Sequence, residues 1–312
     1  MEQLRIAIIQ HRPVHLNLKA STQKALAFIK EAAGQSAQLI VFGETWLSGY
    51  PAWIDHCPEI ASWNNEAVKE VFALMHAGSP AVDGKEIKSI CDAAKEHAVV
   101  IGLGFNEKIT KGIGGGTIYN SFIIINEKGE KVNHHRKLVP TFNEKLLYGN
   151  GDAAGLKTAE TGWGRTGGLI CWEHWMPLGR QVLHNENEVI HLALWPTVHE
   201  MHQVASRHYA FEGRCFVIAA GQMMQVKDIP QQLTLPGYLK DNPDKYILNG
   251  GSCVIDPKGN YLLPPQFDKE EILYCTIEHF DVAIKEKMTL DTSGHYNRWD
   301  IFDLHINRNR KT

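Results

Sequence analysis

A chain of 312 residues, 44% hydrophobic and with a formal charge of −3, is long enough for one large α/β domain or two modest ones. The slight negative charge argues against nucleic acid as a partner, despite the basic run Arg308-Asn309-Arg310-Lys311, and no segment stays apolar long enough to span a bilayer. Six scattered cysteines without a CxxC pair point to neither a disulfide framework nor a zinc site, and the first ten residues lack the cleavage pattern of a secretory leader, so a reduced, cytoplasmic protein is expected.

In chain order, the β-branched run 4–10 predicts a strand and 19–33 an amphipathic helix. A second buried strand, 38–42, ends at Gly43-Glu44-Thr45, and a carboxylate at such a strand end is costly unless it is paired or used. Helices are expected at 65–76 and 84–97, with a strand at 98–105. The glycine-rich run 112–116 lacks a following GK[ST] and reads as a hairpin connection, not a phosphate cradle. Residues 117–126 and 131–137 form a hairpin whose second strand delivers Lys137 into the loop that carries Glu144.

Residues 168–170 end another buried strand, and Pro177 suits the first position of the next helix, so Cys171 sits at a strand-to-helix junction with unpaired N–H groups nearby. A strand at 189–195, a helix at 199–212 and a strand at 215–222 follow. Residues 223–249 read as irregular, 251–255 as a strand, 257–260 as a turn, 271–277 as the last strand and 279–287 as a closing helix before a tail from about 289. Helices alternate with strands in some places and hairpins occur in others, which predicts a mixed-sheet layered α/β fold instead of a Rossmann fold or a barrel. No linker or strong repeat is visible, so 1–312 is expected to be one domain.

Glu44, Lys137, Glu144 and Cys171 together answer one chemical need. A thiol nucleophile requires a base, which Glu44 supplies if burial raises its pKa. Attack on a C≡N or C=O carbon places negative charge on the heteroatom, where Lys137 and the N–H after Cys171 would stabilise it. Glu144 would position the lysine or handle protons.

The chain resembles the nitrilase branch of the carbon–nitrogen hydrolase superfamily. The resemblance rests on Phe42-Gly43-Glu44-Thr45-Trp46-Leu47-Ser48-Gly49-Tyr50-Pro51, on His135-Arg136-Lys137-Leu138-Val139-Pro140-Thr141 with Glu144 and Gly149-Asn150-Gly151-Asp152, and on Cys171-Trp172-Glu173. It continues through His208-Tyr209-Ala210-Phe211-Glu212-Gly213-Arg214 to Gly294-His295-Tyr296-Asn297-Arg298. It implies a four-layer αββα sandwich and a Glu–Lys–Cys site with a second glutamate. It further implies conversion of a small-molecule nitrile to acid and ammonia through a thioimidate and a thioester, with no metal or organic cofactor. Gly43, Ser48 and Lys145 depart from relatives and leave substrate preference open.

An amidase or carbamoylase would use the same residues on a carbonyl, and a cyanide-hydrolysing relative is a further alternative; Trp172-Glu173 resembles true nitrilases. A papain-like dyad of Cys171 with His174 would leave Lys137 and Glu44 without a role, and His199-Glu200-Met201-His202 misses the HExxH spacing of zinc proteases. A non-catalytic binding protein would not need all four reactive groups. Tyr50, Trp53, Phe142, Trp172 and Trp195 are the aromatic candidates for the substrate pocket, with core packing the competing role for each. The resemblance also implies a homodimer through the helix at 199–212 and the one after Cys171. Segments 54–79 and 223–249, rich in apolar groups such as Trp63, Val71, Met75, Leu233 and Tyr238, are candidates for joining dimers into higher oligomers or spirals, or for lidding the site.

Overall fold

The structure is a computed structural model and describes residues 3–310. β1 (Leu4–Gln10) shows why its sequence is apolar at almost every position. Leu4, Ile6 and Ile8 enter one core while Ala7 and Ile9 enter another, so both faces of the strand are buried. α1 (Leu18–Gly34) is capped by Asn17, which accepts from the Ala20 N–H at 3.1 Å, and it turns Ala25 and Ile29 into the second core. β2 (Leu39–Phe42), α2 (Glu66–Ala77), α3 (Lys85–His97), β3 (Val100–Lys108), β4 (Ile118–Ile125) and β5 (Lys131–Arg136) follow.

The second half holds β6 (Ala159–Thr161), β7 (Gly164–Ile170), α4 (Pro177–His184), β8 (Ile190–Leu194), α5 (Glu200–Gly213) and β9 (Phe216–Ala220). It ends with β10 (Met223–Gln225), α6 (Gly237–Lys240), β11 (Tyr246–Ile255), β12 (Tyr261–Phe267), β13 (Glu271–Ile277) and α7 (Asp281–Lys287). One sheet runs β13-β1-β2-β3-β4-β5 and the other β10-β11-β9-β8-β7-β6, with β12 on β11. Each mixes parallel and antiparallel pairs, as the alternation of crossovers and hairpins requires.

The sheets meet face to face. Gly102 of β3 leaves the space that Leu192 of β8 fills, since a Cβ there would lie 2.5 Å from the leucine side chain. α1 and α3 cover the outer face of the first sheet, and α4 and α5 bury Val182, Leu183, Ala205 and Tyr209 against the second. The architecture is the αββα sandwich.

The structure differs from the sequence reading in two places. β12 was not foreseen; it holds Pro264 and Pro265 and pairs with β11 alone, and an edge tolerates the missing donors. β11 starts at Tyr246, so 223–249 is not irregular throughout: it also holds β10 and α6. The segments 54–79 and 223–249 pack against each other, Ile54, Val71 and Met75 meeting Met224, Ile229 and Leu233 in a small third core. Trp63 stays outside it at 98% exposure.

No helix among the described residues is long and apolar enough to cross a membrane. After Lys287 no further helix or strand forms among them, but the tail is anchored: Arg308 meets Glu186 at 2.6 Å and Arg310 meets Asp152 at 3.1 Å.

Candidate active site

Glu44 follows the last residue of β2 by two positions and Lys137 follows β5 directly; the two strands run in the same direction in one sheet, with β3 and β4 between them, and so bring both residues to the same end. Lys137 Nζ donates to Glu44 Oε1 at 3.0 Å and to Glu144 at 2.9 and 2.7 Å. Glu144 is presented by a 3-10 turn, Phe142–Leu146, where it also accepts from the Thr141 N–H at 2.8 Å. Tyr50 donates its hydroxyl to Glu144 at 2.8 Å, and Asn120 of β4 donates to Glu44 at 2.7 Å. The Glu44 backbone is fixed in turn. Gln222, from beyond β9, donates to its carbonyl oxygen, and Gly104 lies so close that a Cβ would sit 2.2 Å from the Gly43 carbonyl.

Cys171 arrives from the other sheet, at the end of β7. It opens a 3-10 turn, Cys171–Trp175, with φ of 52°, a left-handed conformation that is strained for a residue with a Cβ. One ligating atom each from Glu44, Glu144 and Cys171 lie within 4.8 Å of one another. By distance they resemble a metal site, but the Lys137 ammonium already fills the place a cation would take between the carboxylates, so the set does not fit a resident metal.

Burial sets the electrostatics. It pushes Glu44 up to about 7, against the pull of Lys137. It also raises the Cys171 thiol, with Glu44 adding to the rise and the Trp172 backbone N–H opposing it. Burial works against the Lys137 charge, but Cys171 and the two glutamates outweigh it and hold that pKa above its ordinary value. The resting arrangement is therefore a thiol beside a carboxylate that accepts a proton near neutral pH.

Glu173 carries a role that its place in the sequence does not reveal. Its oxygens accept from the Ile170 N–H at 2.7 Å, the Leu138 N–H at 2.8 Å and His135 Nε2 at 2.9 and 3.0 Å. It thus ties the residue before Cys171 to the residues on either side of Lys137. Burial disfavours its charge, but His135 and these two amides overcome the penalty and hold its pKa below the carboxylate norm.

Above the thiol opens a cavity of about 400 Å³ lined by Tyr50, Ile54, Phe142, Trp172, His199 and Leu248 among others. Of the five aromatic candidates, Tyr50, Phe142 and Trp172 are on its wall. Trp53 and Trp195 are not. Trp53 turns from the short 3-10 segment Ala52–Asp55 toward Met75 and Met224. Trp195 lies one layer behind the wall, stacked on His174 at 4.6 Å and on His202 at 4.1 Å. Neither outcome is decided by residue type, because a side chain's direction at a strand end or tight turn depends on the local backbone. His174 makes no dyad with the thiol, since its Nδ1 donates to the Cys171 carbonyl oxygen at 2.6 Å. His199 and His202 stack on each other at 3.5 Å and wall the cavity, along with Ile247 and Leu248 from the unforeseen start of β11.

The carbon–nitrogen hydrolase sequence family matches residues 5–283. The chain belongs to the carbon–nitrogen hydrolase family. Its full-length similarities place this hydrolase in the nitrilase branch. It is 33% identical to an aliphatic nitrilase of Sinorhizobium fredii over 100% of the chain and 98% of that protein. It is 32% identical to nitrilase 2 of Arabidopsis thaliana over 99% of the chain and 90% of that protein. Among solved structures, the carbon–nitrogen hydrolase of Helicobacter pylori G27 shares the fold at a TM-score of 0.69 and 19% identity, covering 96% of this chain and 97% of that one. The NitFhit protein of C. elegans does so at 0.72 and 16%, covering 100% of this chain and 69% of that one.

Replacing Glu173 by Gln leaves one acceptor where two oxygens served, so at least one buried N–H loses its partner. Stability is expected to fall by about 1–3 kcal/mol, read as a lower urea midpoint at unchanged m. Activity of the folded protein is expected to fall at least about tenfold as the two strand ends drift apart.

Proposed function

We propose that this hydrolase is a nitrilase converting an organic nitrile to a carboxylic acid and ammonia, with Cys171 as nucleophile, Glu44 as base, Lys137 as stabiliser of developing charge and Glu144 as its positioning partner. The observation that carries the reading is the buried Lys137 ammonium between two glutamates, with the Cys171 thiol in the same cluster at the cavity floor. Glu44 takes the thiol proton as Sγ attacks the nitrile carbon. One C≡N bonding pair moves to nitrogen, which is protonated to give a thioimidate. Lys137 and the Trp172 N–H face the charge that develops there. A water adds to the thioimidate carbon, and loss of ammonia leaves a thioester. A second water releases the acid and returns the thiol, so each turnover consumes one nitrile and two waters.

Similarity to an aliphatic nitrilase along the whole chain supports this reaction. The cavity suits a small organic nitrile held against Tyr50, Phe142 and Trp172. We read residues 1–312 as one hydrolase unit, because β13 near the end of the chain completes the sheet that β1 begins. A reduced, cytoplasmic setting agrees with six free thiols.

Cys171→Ala is expected to abolish turnover with little change in melting temperature, and Glu44→Gln to lower kcat by at least about 100-fold. Because Glu44 must be ionised to accept the proton and burial lifts its pKa to about 7, kcat/KM is expected to rise with pH through that value. Substantial turnover by Cys171→Ala would end the reading.

Product analysis separates the reaction from its nearest rival. A nitrile is expected to yield acid and ammonia with amide as a minor leak. No acid from any nitrile of a mixed panel, with fast hydrolysis of the matching amides, would make the protein an amidase.

A homodimer is also proposed, through the faces of α4 and α5. Leu178, Met201, Val204 and Phe211 are exposed there beside Trp172 and Trp175. The exposed Trp63 and Tyr238 are left for assembly beyond the dimer, into higher oligomers or spirals. Light scattering across a concentration series is expected to give at least a dimer; a monomer at micromolar protein refutes it.

A further inference from the structure

Behind the nucleophile, on the side away from the cavity, four buried polar side chains form an unbroken chain. His174 Nδ1 bonds the Cys171 carbonyl oxygen at 2.6 Å, and His174 Nε2 meets His191 Nε2 at 3.0 Å. His191 Nδ1 meets Glu188 Oε1 at 2.9 Å, and the Tyr209 hydroxyl donates to Glu188 Oε2 at 2.5 Å. All four residues are closed off from solvent. Gly167 of β7 makes the room: a Cβ there would lie 2.2 Å from Glu188 Oε1. None of the four touches the cavity, and the reaction above uses none of them.

Donor and acceptor bookkeeping fixes the chain's protonation. The Cys171 carbonyl only accepts, so His174 carries its proton on Nδ1 and offers a lone pair at Nε2. His191 must then donate from Nε2. A neutral His191 has only a lone pair left at Nδ1, facing Glu188, so the contact needs one more proton, either on Glu188 or on His191. Remove that proton and two lone pairs face each other at one of the three links between the Cys171 carbonyl and Glu188, which then fails.

The first link bears on catalysis through the geometry of one peptide plane. In a trans peptide the Cys171 C=O and the Trp172 N–H point in opposite directions. The carbonyl is drawn back to His174, and the N–H is directed at the Cys171 thiol. We propose that His174, His191, Glu188 and Tyr209 are positioning residues that aim the Trp172 amide at the reacting centre, and that they do so only while Glu188 and His191 hold one shared proton. The inference rests on the reading of Cys171 as nucleophile.

Burial places the proton on Glu188, lifting its pKa to about 8, and pushes His191 well down. Other groups face Glu188 from each neighbouring element. These are His184 of α4, Glu186 of the preceding loop, the Gly167 backbone of β7 and, around Tyr209, Glu212 of α5 and Cys215 at the foot of β9. Glu186 stays ionised beside Arg165, Arg308 and Thr158, and Glu212 beside His184 and Arg180. Since folding raises the Glu188 pKa, the chain's contribution is complete in acid and is lost as pH rises through about 8.

The test compares kcat profiles of the wild type, Glu188→Gln and Tyr209→Phe on one nitrile. The wild type is expected to fall at least about tenfold across the alkaline transition. In E188Q the amide accepts from Tyr209 and donates to His191 Nδ1 without a proton to lose, so the transition disappears whatever the level of activity. In Y209F the carboxylate form loses a hydrogen bond, so the transition moves to higher pH. A wild type without the fall, an E188Q profile that keeps it, or a Y209F transition that stays or moves down overturns the assignment. If E188Q does not fold, Y209F decides alone. The same transition in the imidazole nitrogen NMR signals of His191, followed in Cys171→Ala, needs no turnover and separates failure of this chain from failure of the nucleophile.

Discussion

The Lys137 ammonium lies 3.0 Å from Glu44 and 2.7 Å from Glu144, with all three side chains sealed from water, and charges so deeply buried persist only when each is paired and hydrogen bonded. One cation here serves two carboxylates. Lone pairs on Glu44 and Glu144 are further occupied by Asn120, Tyr50 and the Thr141 amide. The carboxylate left with the weaker share is Glu44, whose Oε2 has no partner. That shortage adds to the burial that lifts its pKa to about 7. Removing Lys137 would strand buried carboxylate charge, at a cost of about 3–5 kcal/mol, whereas removing Glu44 leaves the lysine paired with Glu144.

Cys171 enters from the opposite sheet, so the site is a seam between two independently hydrogen-bonded layers. Hydrophobic packing holds such layers together but does not fix their sliding to a fraction of an ångström. Directional bonds across the seam do. Glu173 reaches from the turn after β7 to His135 and Leu138, and Gln222 reaches from beyond β9 to the Glu44 carbonyl.

Glu44, Lys137 and Cys171 were legible because each stands at or just past the end of a strongly patterned strand, and Glu144 because it lies in the loop that follows Lys137. The layered mixed fold followed from the same pattern. What could not be read depends on contacts between residues far apart in the chain. Glu173 belongs to the motif at Cys171, but its bracing role appears only when His135 and Leu138 are brought to it. Gln222 and Asn120 carry no local signal at all. Trp53 and Trp195 were assigned to the pocket by type, whereas backbone direction sends them into packing. β12, also unread, holds two prolines that only an edge position tolerates.

The placement of β13 has a consequence for synthesis on the ribosome. All seven residues of β1 pair with β13, Leu4 opposite Ile277 and Gln10 opposite Glu271. β1, the first strand among the described residues, therefore waits for β13, the last of them. Until residue 277 has emerged, the nascent chain carries one open, apolar strand edge. Such an edge recruits other chains as readily as its own. The first sheet gains its outer strand only once β13 has been made, so release of the polypeptide before that point yields a sticky fragment instead of a half-built enzyme.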